Sequence, residues 1–215
     1  MAMTNRKTLI FFLALVGLLG EGLGVKQMSI TKAAPMTNAA KPLVVDNFED
    51  GDMTTRFGTI WRTYTDAGLG GKSTAEARIV DSGATGTKKA LRLMGRVTTD
   101  FQFGFAGIAM GLNREGRGQV MTRFTGIRFY ARGDGDVYQA QVLCAAVKDH
   151  NEFGKEFVAP KEWTLITVPF SQLVQSPFWG QPVQWTGKDV RGIAFQTVGA
   201  PRHAYVLEVD EISFY

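Results

Sequence analysis

Two acidic clusters contain the side chains in this sequence that are best suited to holding a metal ion. The stretch "DNFEDGD" contributes Glu49 and Asp50, and "EVDEISF" contributes Asp210 in the last predicted strand. Calcium takes six to eight hard oxygen ligands without strict geometry, so carboxylates from the first and last strands could share one ion. Alternation places Asp210 on the same face as Ile212 and Phe214, where a buried charge needs a partner. We therefore predict a structural Ca²⁺ at Glu49, Asp50 and Asp210, which a chelator would remove with a loss of melting temperature. The alternative is solvated turn acids and a hydrogen-bonded Asp210.

One tryptophan stands apart from the other large rings. Most rings are expected in the core, including Trp163 inside the strand "EWTLITVPF". Trp179 lies in "QSPFWGQPVQW" between prolines and glycine, a loop in which an indole can stay partly exposed. Exposed rings stack on sugar rings, and polar side chains bind the hydroxyls, so a sugar-binding surface is one interpretation of this composition.

Motifs for catalysis and nucleotide binding are weak in this chain. "GLGGKST" ends like a phosphate loop, but Asp66 stands where the first glycine is needed, and the following residues predict a strand. Neither a G-x-S-x-G elbow nor an H-E-x-x-H pair occurs. Cys144, the only cysteine, sits in an apolar run that favours an inert buried thiol. His150 and His203 serve equally well as exposed polar residues, so we predict a protein that is not an enzyme and carries no organic cofactor.

The stretch "YARGDGDVYQAQV" predicts a tight β-hairpin. Asp134-Gly135 separates two alternating runs, and both residue types tolerate the positive φ of such turns. Two other interpretations are an adhesion tripeptide at Arg132–Asp134 and a fragment of a calcium loop. The hairpin accounts for the pattern with fewer assumptions.

The N-terminal residues predict an exported protein. Arg6 and Lys7 precede the apolar run "TLIFFLALVGLLG", which Glu21 closes, as in a secretory signal. We predict a signal over residues 1–34 with an uncertain cleavage site, a linker over 35–42 and one domain over 43–215. An uncleaved membrane anchor is the alternative. The leader carries +3 of the formal charge of +4, so the domain is nearly neutral and lacks the basic stripe of a nucleic-acid-binding protein.

Short runs with β-type alternation dominate the rest of the chain. We predict about nine strands, from "LVVDNF" to "AYVLEVDEISFY", separated by Gly, Asp, Asn and Pro. The only short helical candidate is "SQLVQ". Many strands without long helices predict an all-β sandwich of jelly-roll type.

An ordered set of motifs resembles one superfamily. "DNFEDGD", "GGKS", "FAGIAMGL", "TGIRFYARGDGDVY", "EWTLITVPFSQL", "DVRGIAFQT" and "YVLEVDEISF" occur in the order seen in the complex I intermediate-associated protein 30 family and the related carbohydrate-binding module family 11. The resemblance covers roughly residues 44–215. Two departures are Leu69-Gly70-Gly71 in place of the "MGG" of the assembly-factor branch, and only five tyrosines, where the module branch uses several in its groove.

The resemblance implies a galactose-binding-like jelly roll without catalytic machinery. Module members bind β-glucans on a concave sheet face and carry structural calcium, and mitochondrial members assist the assembly of complex I. Matching positions make Arg132, Tyr138, Asp149 and His150 groove candidates, with Trp179 beside them. We therefore expect an exported, non-catalytic domain that binds a β-glucan-like carbohydrate. The alternative is an assembly factor that binds a protein partner.

Overall fold

Eleven antiparallel strands and two short 3-10 helices form the structure, a computed structural model that describes residues 41–215. The predicted signal at 1–34 and most of the linker at 35–42 lie outside these residues. The strands are β1 (Leu43–Asp46), β2 (Arg62–Thr65), β3 (Thr74–Val80), β4 (Ala90–Val97), β5 (Ala106–Gly111), β6 (Gly126–Gly133), β7 (Val137–Cys144), β8 (Phe153–Val158), β9 (Thr164–Pro169), β10 (Val190–Thr197) and β11 (Arg202–Phe214). The 3-10 helices span Asp66–Leu69 and Phe170–Gln172. Among the described residues no helix is long and apolar enough to cross a membrane.

The strands form two sheets, which confirms the predicted all-β sandwich. One sheet has six strands in the order β3-β4-β11-β6-β9, with β1 also paired to β11. The other has five strands in the order β2-β5-β10-β7-β8. β11 is long enough to pair with β4 along its first part and with β1 along its last part.

The core lies between the two sheets, because alternate residues of each strand are apolar and point inward. Ile127, Phe129 and Ala131 of β6 are fully buried, as the alternation of "GIRFYAR" predicts. The Phe195 ring of β10 packs on Phe129 at a centroid distance of 4.8 Å and on Trp61 at 6.0 Å. Apolar burial of this extent is the main stabilising contribution to such a domain.

Two strands were not predicted from the sequence. β2, "RTYT", has only four residues, and β8, "FGKEFV", is interrupted by glycine and two charged residues. Both sit at the outer ends of the five-stranded sheet, where one side of the strand is unpaired and charged residues are tolerated. The predicted helix "SQLVQ" is reduced to the single turn Phe170–Gln172.

A bulge in β11 changes which face carries Asp210. Val209 and Ile212 both belong to the core, and Glu211 between them has a φ of 50°. The pairing with β6 shifts register between Asp210 and Ser213. Asp210 therefore faces outward, away from Ile212, which corrects the expectation that they share a face. The prediction that Trp163 lies in the core is wrong. Ile166 of β9 packs against the core, whereas the Trp163 indole lies on the outer side, under the guanidinium of Arg132.

Candidate functional site

The outward surface of the five-stranded sheet combines small residues with longer polar side chains. We call this surface the five-stranded face. Strand pairing and alternation place the following outward side chains on it: Arg62, Tyr64, Gly107, Ala109, Gln139, Gln141, Gly154, Glu156, Ala194 and Gln196. Because β5 carries only Gly107 and Ala109 in this list, and β8 and β10 each carry one small residue, the longer side chains of their neighbours can lie along the sheet.

The side chain of Tyr64 extends across the strand beside it. It pairs with Gly107 of β5, where a Cβ atom would stand 2.6 Å from Cζ of the Tyr64 ring. Glycine therefore lets the phenol cross β5 and reach β10, where its hydroxyl donates to Oε1 of Gln196 at 3.1 Å. Burial raises the pKa of Tyr64 above its usual range, so the hydroxyl stays a neutral donor. Part of the Tyr64 surface is exposed to solvent.

Glutamine side chains on β7 and β10 lie beside Tyr64. Gln141 donates from Nε2 to Oε1 of Gln139 at 2.7 Å. A Cβ atom on Gly154 would stand 2.5 Å from Cδ of Gln139, so this glycine leaves room for the amide to lie over β8. Each amide has donors and an acceptor, as does a sugar hydroxyl. Glu156 is the one carboxylate among the outward strand residues of this face.

A series of phenylalanine rings continues from Tyr64 at one end of the face. The Phe105 centroid lies 6.1 Å from the Tyr64 centroid, and Phe101 lies 6.5 Å beyond it. Phe103 follows at 5.9 Å, and 69% of its surface is exposed. These rings precede β5, at the end of the sheet where Tyr138 pairs with Thr197. They give this end of the face an apolar surface.

At the opposite end, beyond Cys144, two adjoining loops carry three of the predicted binding residues. Asp149 accepts from the backbone N–H groups of Gln181, at 2.6 Å, and Asn151, at 3.1 Å. These hydrogen bonds, that of Gln181 first, lower the pKa of Asp149. His150 is exposed, with a φ of 66°, and 52% of the Trp179 surface is exposed. The structure thus brings Asp149, His150 and Trp179 into one loop cluster.

Asn151 positions this cluster, a role that sequence analysis missed. Its buried side chain donates from Nδ2 to the backbone oxygens of Ser176, at 3.0 Å, and Trp179, at 2.7 Å. Its Oδ1 accepts from the Ser176 N–H at 2.8 Å. One amide therefore fixes the loop that presents Trp179. Asn151 directly follows the predicted residues Asp149 and His150 in the sequence, but contacts across 25 and 28 residues are decided only in three dimensions.

The other two predicted groove residues lie elsewhere. Tyr138 is fully buried between the sheets, where its hydroxyl donates to Oδ2 of Asp134 at 2.8 Å. Arg132 points outward from β6 on the six-stranded sheet, where its Nε lies 2.5 Å from Oε2 of Glu208. The hairpin prediction correctly placed both residues near a turn. However, Tyr138 points into the core and Arg132 points outward from the six-stranded sheet. Tyr138 is therefore a core residue, and Arg132 lies on the far side of the sandwich from the five-stranded face.

The three predicted calcium ligands do not form one oxygen cage. Oε1 of Glu49 accepts from the backbone N–H groups of Lys88, at 2.8 Å, and Lys89, at 2.7 Å. Asp50 instead accepts from the N–H of Asp52 at 3.2 Å, within its own loop. Calcium requires oxygen ligands, whereas Oε1 of Glu49 and Oδ1 of Asp50 face N–H donors.

Asp210 is likewise surrounded by hydrogen-bond donors. Its Oδ2 accepts from the N–H of Ala84 at 2.9 Å and from the Thr87 hydroxyl at 2.6 Å, and its Oδ1 accepts from the N–H of Glu211 at 2.7 Å. Burial raises the pKa of Asp210, and the nearby charge of Glu49 adds to the shift. Within residues 41–215 there is no group of three or more His, Cys, Asp or Glu residues arranged to hold a metal. In this arrangement the residues do not fit a calcium ion.

The thiol of Cys144 is unsuited to nucleophilic chemistry. Burial raises its pKa to about 12, with further contributions from Asp189 and Glu152. A thiol in this environment stays protonated near neutral pH and is inert. The prediction of a structural cysteine agrees with this burial.

Comparisons with known proteins agree with this architecture. The family 11 carbohydrate-binding module from Clostridium thermocellum in complex with a β-1,3-1,4-mixed-linked tetrasaccharide has a TM-score of 0.61, with 18% identity over 80% of this chain and 94% of that chain. The family 11 module of the cellulosomal cellulase Lic26A-Cel5E of the same organism also has a TM-score of 0.61, with 18% identity over 81% of this chain and 94% of that one. At this identity the likeness shows the fold.

Sequence comparisons add one curated relative and one family. Endoglucanase 3 of Fibrobacter succinogenes (strain ATCC 19169 / S85) is 26% identical over 165 residues, which are 73% of this chain. The chain spans 24% of the length of that relative. The family model of Complex I intermediate-associated protein 30 matches residues 47–209, most of the domain described above. The chain therefore belongs to the Complex I intermediate-associated protein 30 (CIA30) family.

Proposed function

We propose that this chain is a non-catalytic carbohydrate-binding domain of an exported protein, and that it binds a neutral β-glucan-like chain along the five-stranded face. The observation that carries the proposal is the partly exposed Tyr64 side chain laid across Gly107, with Gln139, Gln141 and Gln196 on the same face. A flat ring offers a stacking surface for a sugar, and the amides offer donors and acceptors for its hydroxyls. The similarity to a module in complex with a mixed-linked tetrasaccharide supports the choice of ligand.

The two ends of the face have separate roles in this proposal. Trp179, Asp149 and His150 contact the glycan at the loop end, while Phe103 and its neighbouring rings provide apolar surface at the other. Arg132 and Tyr138 leave the ligand set, because one lies on the far sheet and the other in the core.

Absence of catalysis is part of the proposal. Glycoside hydrolysis ordinarily uses two carboxyl groups on either side of the scissile bond. Glu156 is the one carboxylate among the outward strand residues of the five-stranded face, so the strands of this face do not provide such a pair. The folded domain should release no reducing ends from mixed-linked β-glucan. Release of reducing ends by the wild type that Glu156→Gln abolishes would contradict the proposal.

Affinity electrophoresis through gels containing mixed-linked β-1,3-1,4-glucan tests the binding site. We expect the glucan to retard the wild-type chain. Tyr64→Ala should lower the affinity for the glucan about tenfold, because the variant loses about 1.4 kcal/mol of stacking. Tyr130→Ala on the six-stranded sheet is the matched control and should bind as the wild type does. Thermal melts establish that both variants fold. Wild-type mobility unchanged on every glucan would overturn the proposal.

Export is the remaining element of the proposal, and it rests on the N-terminal sequence. We expect a mature protein that begins near residue 35 in the periplasm or medium. N-terminal sequencing of the protein from its native host checks this, and a chain that retains Met1 in the membrane fraction would favour the anchor.

A further inference from the structure

The outward surface of the six-stranded sheet carries an excess of arginine. Five arginines point outward from three of its strands: Arg78, Arg92, Arg96, Arg128 and Arg132. We call this surface the arginine face. Core residues alternate with these arginines along each strand, so the guanidinium groups lie on the solvent side of the sheet. The five-stranded face lies on the opposite side of the sandwich.

One row across the arginine face contains three arginines and a single carboxylate. Register places Arg78 opposite Arg92, Arg92 opposite Glu208, and Glu208 opposite Arg132. The two oxygens of Glu208 are both used, since Arg92 Nη2 lies 2.5 Å from one and Arg132 Nε lies 2.5 Å from the other. Arg78 is left directly opposite a like charge, an arrangement that destabilises a sheet. Folding gains nothing from this pairing.

The remaining charges on this face do not neutralise the excess. Glu76 of β3, opposite Met94, is exposed, and Glu211 at the bulge of β11 is partly exposed. Asp210 also points outward, but Ala84 and Thr87 cover its carboxylate. Arg128 donates from Nε to the hydroxyl of Ser213 at 3.2 Å, and its charge also acts on the Glu211 carboxyl, whose pKa burial raises and Arg128 partly lowers. The guanidinium groups thus have unused donors that carboxylates would satisfy.

Apolar side chains lie between the arginines. Met94 and Val206 are partly exposed, and Leu165 of β9 is 47% exposed. The Trp163 ring lies under the guanidinium of Arg132, whose carbon is 4.8 Å from the ring centroid, so this ring face is taken and cannot stack on a sugar. Arginine, methionine and aromatic residues are the types enriched at protein–protein interfaces.

From this geometry we propose that the arginine face is a docking surface for a carboxylate-rich surface of a partner protein. The planar guanidinium forms paired hydrogen bonds with a carboxylate, and the row from Arg78 to Arg132 presents several such groups along one line. The partner's carboxylates complete the charge pairing that Glu208 begins, and Met94 and Leu165 contact its apolar atoms. The domain then has two independent surfaces, one for a glycan and one for a protein.

Fluorescence anisotropy with labelled poly-L-glutamate as the probe tests the proposal. The variant Arg78→Gln/Arg96→Gln/Arg128→Gln removes three charges from the arginine face and spares the pairs around Glu208. We expect its affinity to fall about tenfold or more, and the wild-type affinity to fall as salt is raised. A matched control removes three exposed charges from other surfaces: Lys41→Gln/Arg117→Gln/Lys188→Gln. We expect the control to bind within about twofold of the wild type.

Two further probes separate this surface from glycan binding. Retardation by mixed-linked β-glucan should be unchanged in the arginine-face variant, because that glycan is neutral and its proposed site is on the other sheet. Polygalacturonate should bind more weakly than poly-L-glutamate. Equal losses of poly-L-glutamate affinity in both triple variants would reveal a response to net charge alone and overturn the proposal. Preferential binding of polygalacturonate would also overturn it and assign the face to an anionic glycan.

Discussion

A buried carboxylate at Asp46 links the first strand to the core. Its Oδ2 accepts from the indole N–H of Trp61 at 3.0 Å, and its Oδ1 accepts from the N–H of Phe48 at 3.0 Å. Burial raises the pKa of Asp46 from 3.8 to about 6, although both hydrogen bonds oppose the shift. The folded protein therefore holds a proton that the unfolded chain loses at lower pH.

This shift in the pKa of Asp46 makes the stability of the folded protein depend on pH. Between about pH 4 and pH 6 the folded state binds more protons at Asp46 than the unfolded state does, so this group's contribution to the free energy of unfolding falls as pH rises. Asp46→Asn keeps an acceptor for Trp61 and cannot ionise. We expect the variant to gain stability relative to wild type on going from pH 4 to pH 7, by about 1 to 3 kcal/mol.

Urea unfolding of both proteins at pH 4, 5, 6 and 7 measures this difference. Comparison with the variant cancels the titration of the other carboxylates, which both proteins share. A difference in unfolding free energy that is the same at every pH would show that Asp46 titrates alike in the folded and unfolded chains.

At the scale of elements, Asp134 joins the β6–β7 turn to β11. Its Oδ2 accepts from the Tyr138 hydroxyl at 2.8 Å and from the N–H of Val206 at 3.0 Å, while its Oδ1 accepts from the N–H of Asp136 at 3.0 Å. The Tyr138 phenol is buried, and burial raises its pKa, so the group needs an acceptor in the core. The tripeptide Arg132–Asp134 is thus part of the framework, as the hairpin interpretation predicted.

We expect Asp134→Ala to lower the free energy of unfolding by about 2 to 4 kcal/mol, because it leaves the Tyr138 hydroxyl and the Val206 N–H without an acceptor. Asp136→Ala is the matched control two residues away, where the side chain is exposed, and should cost less than about 0.5 kcal/mol. Chemical denaturation of the two variants measures both values. Similar losses would mean that the turn, and not the Asp134 carboxylate, supplies the stability.

Strands were predicted from the sequence in runs rich in β-branched and aromatic residues, several of which alternate with a period of two. β6 is an example: Ile127, Phe129 and Ala131 face the core and their neighbours face solvent. The four residues of β2 give too few alternations to distinguish a strand from a loop. Tyr64 was therefore seen as one of many rings, and its place on the five-stranded face came only from its pairing with Gly107.

At the scale of the whole molecule, the segment 82–89 lies between two of the carboxylates predicted to bind calcium. Backbone donors from Ala84, Lys88 and Lys89 bind the carboxylates of Glu49 and Asp210, so the first and last strands are joined through this segment. Such contacts connect distant parts of the chain without a cation.

This arrangement changes the expected effect of a chelator. Because N–H groups face the carboxylates, we expect the melting temperature of the folded chain to be the same with EDTA as with added CaCl₂. Differential scanning calorimetry measures both. A ligand that binds only the folded state stabilises it, so a fall of several degrees with EDTA that calcium restores would show a metal site in this fold.

The sequence by itself determined the sheet-forming segments, the hairpin at Asp134, the inert environment of Cys144 and the family. Each depends on local alternation, turn chemistry or ordered motifs. Tertiary structure alone decided the composition of the surfaces. The bulge at Glu211 turns Asp210 outward, and the bonds of Asn151 hold a loop more than twenty residues away. The physical reason is that a period of two assigns residues to the two faces of one strand. It does not determine which strands become neighbours or which outward face carries the glycines that leave room for a ligand.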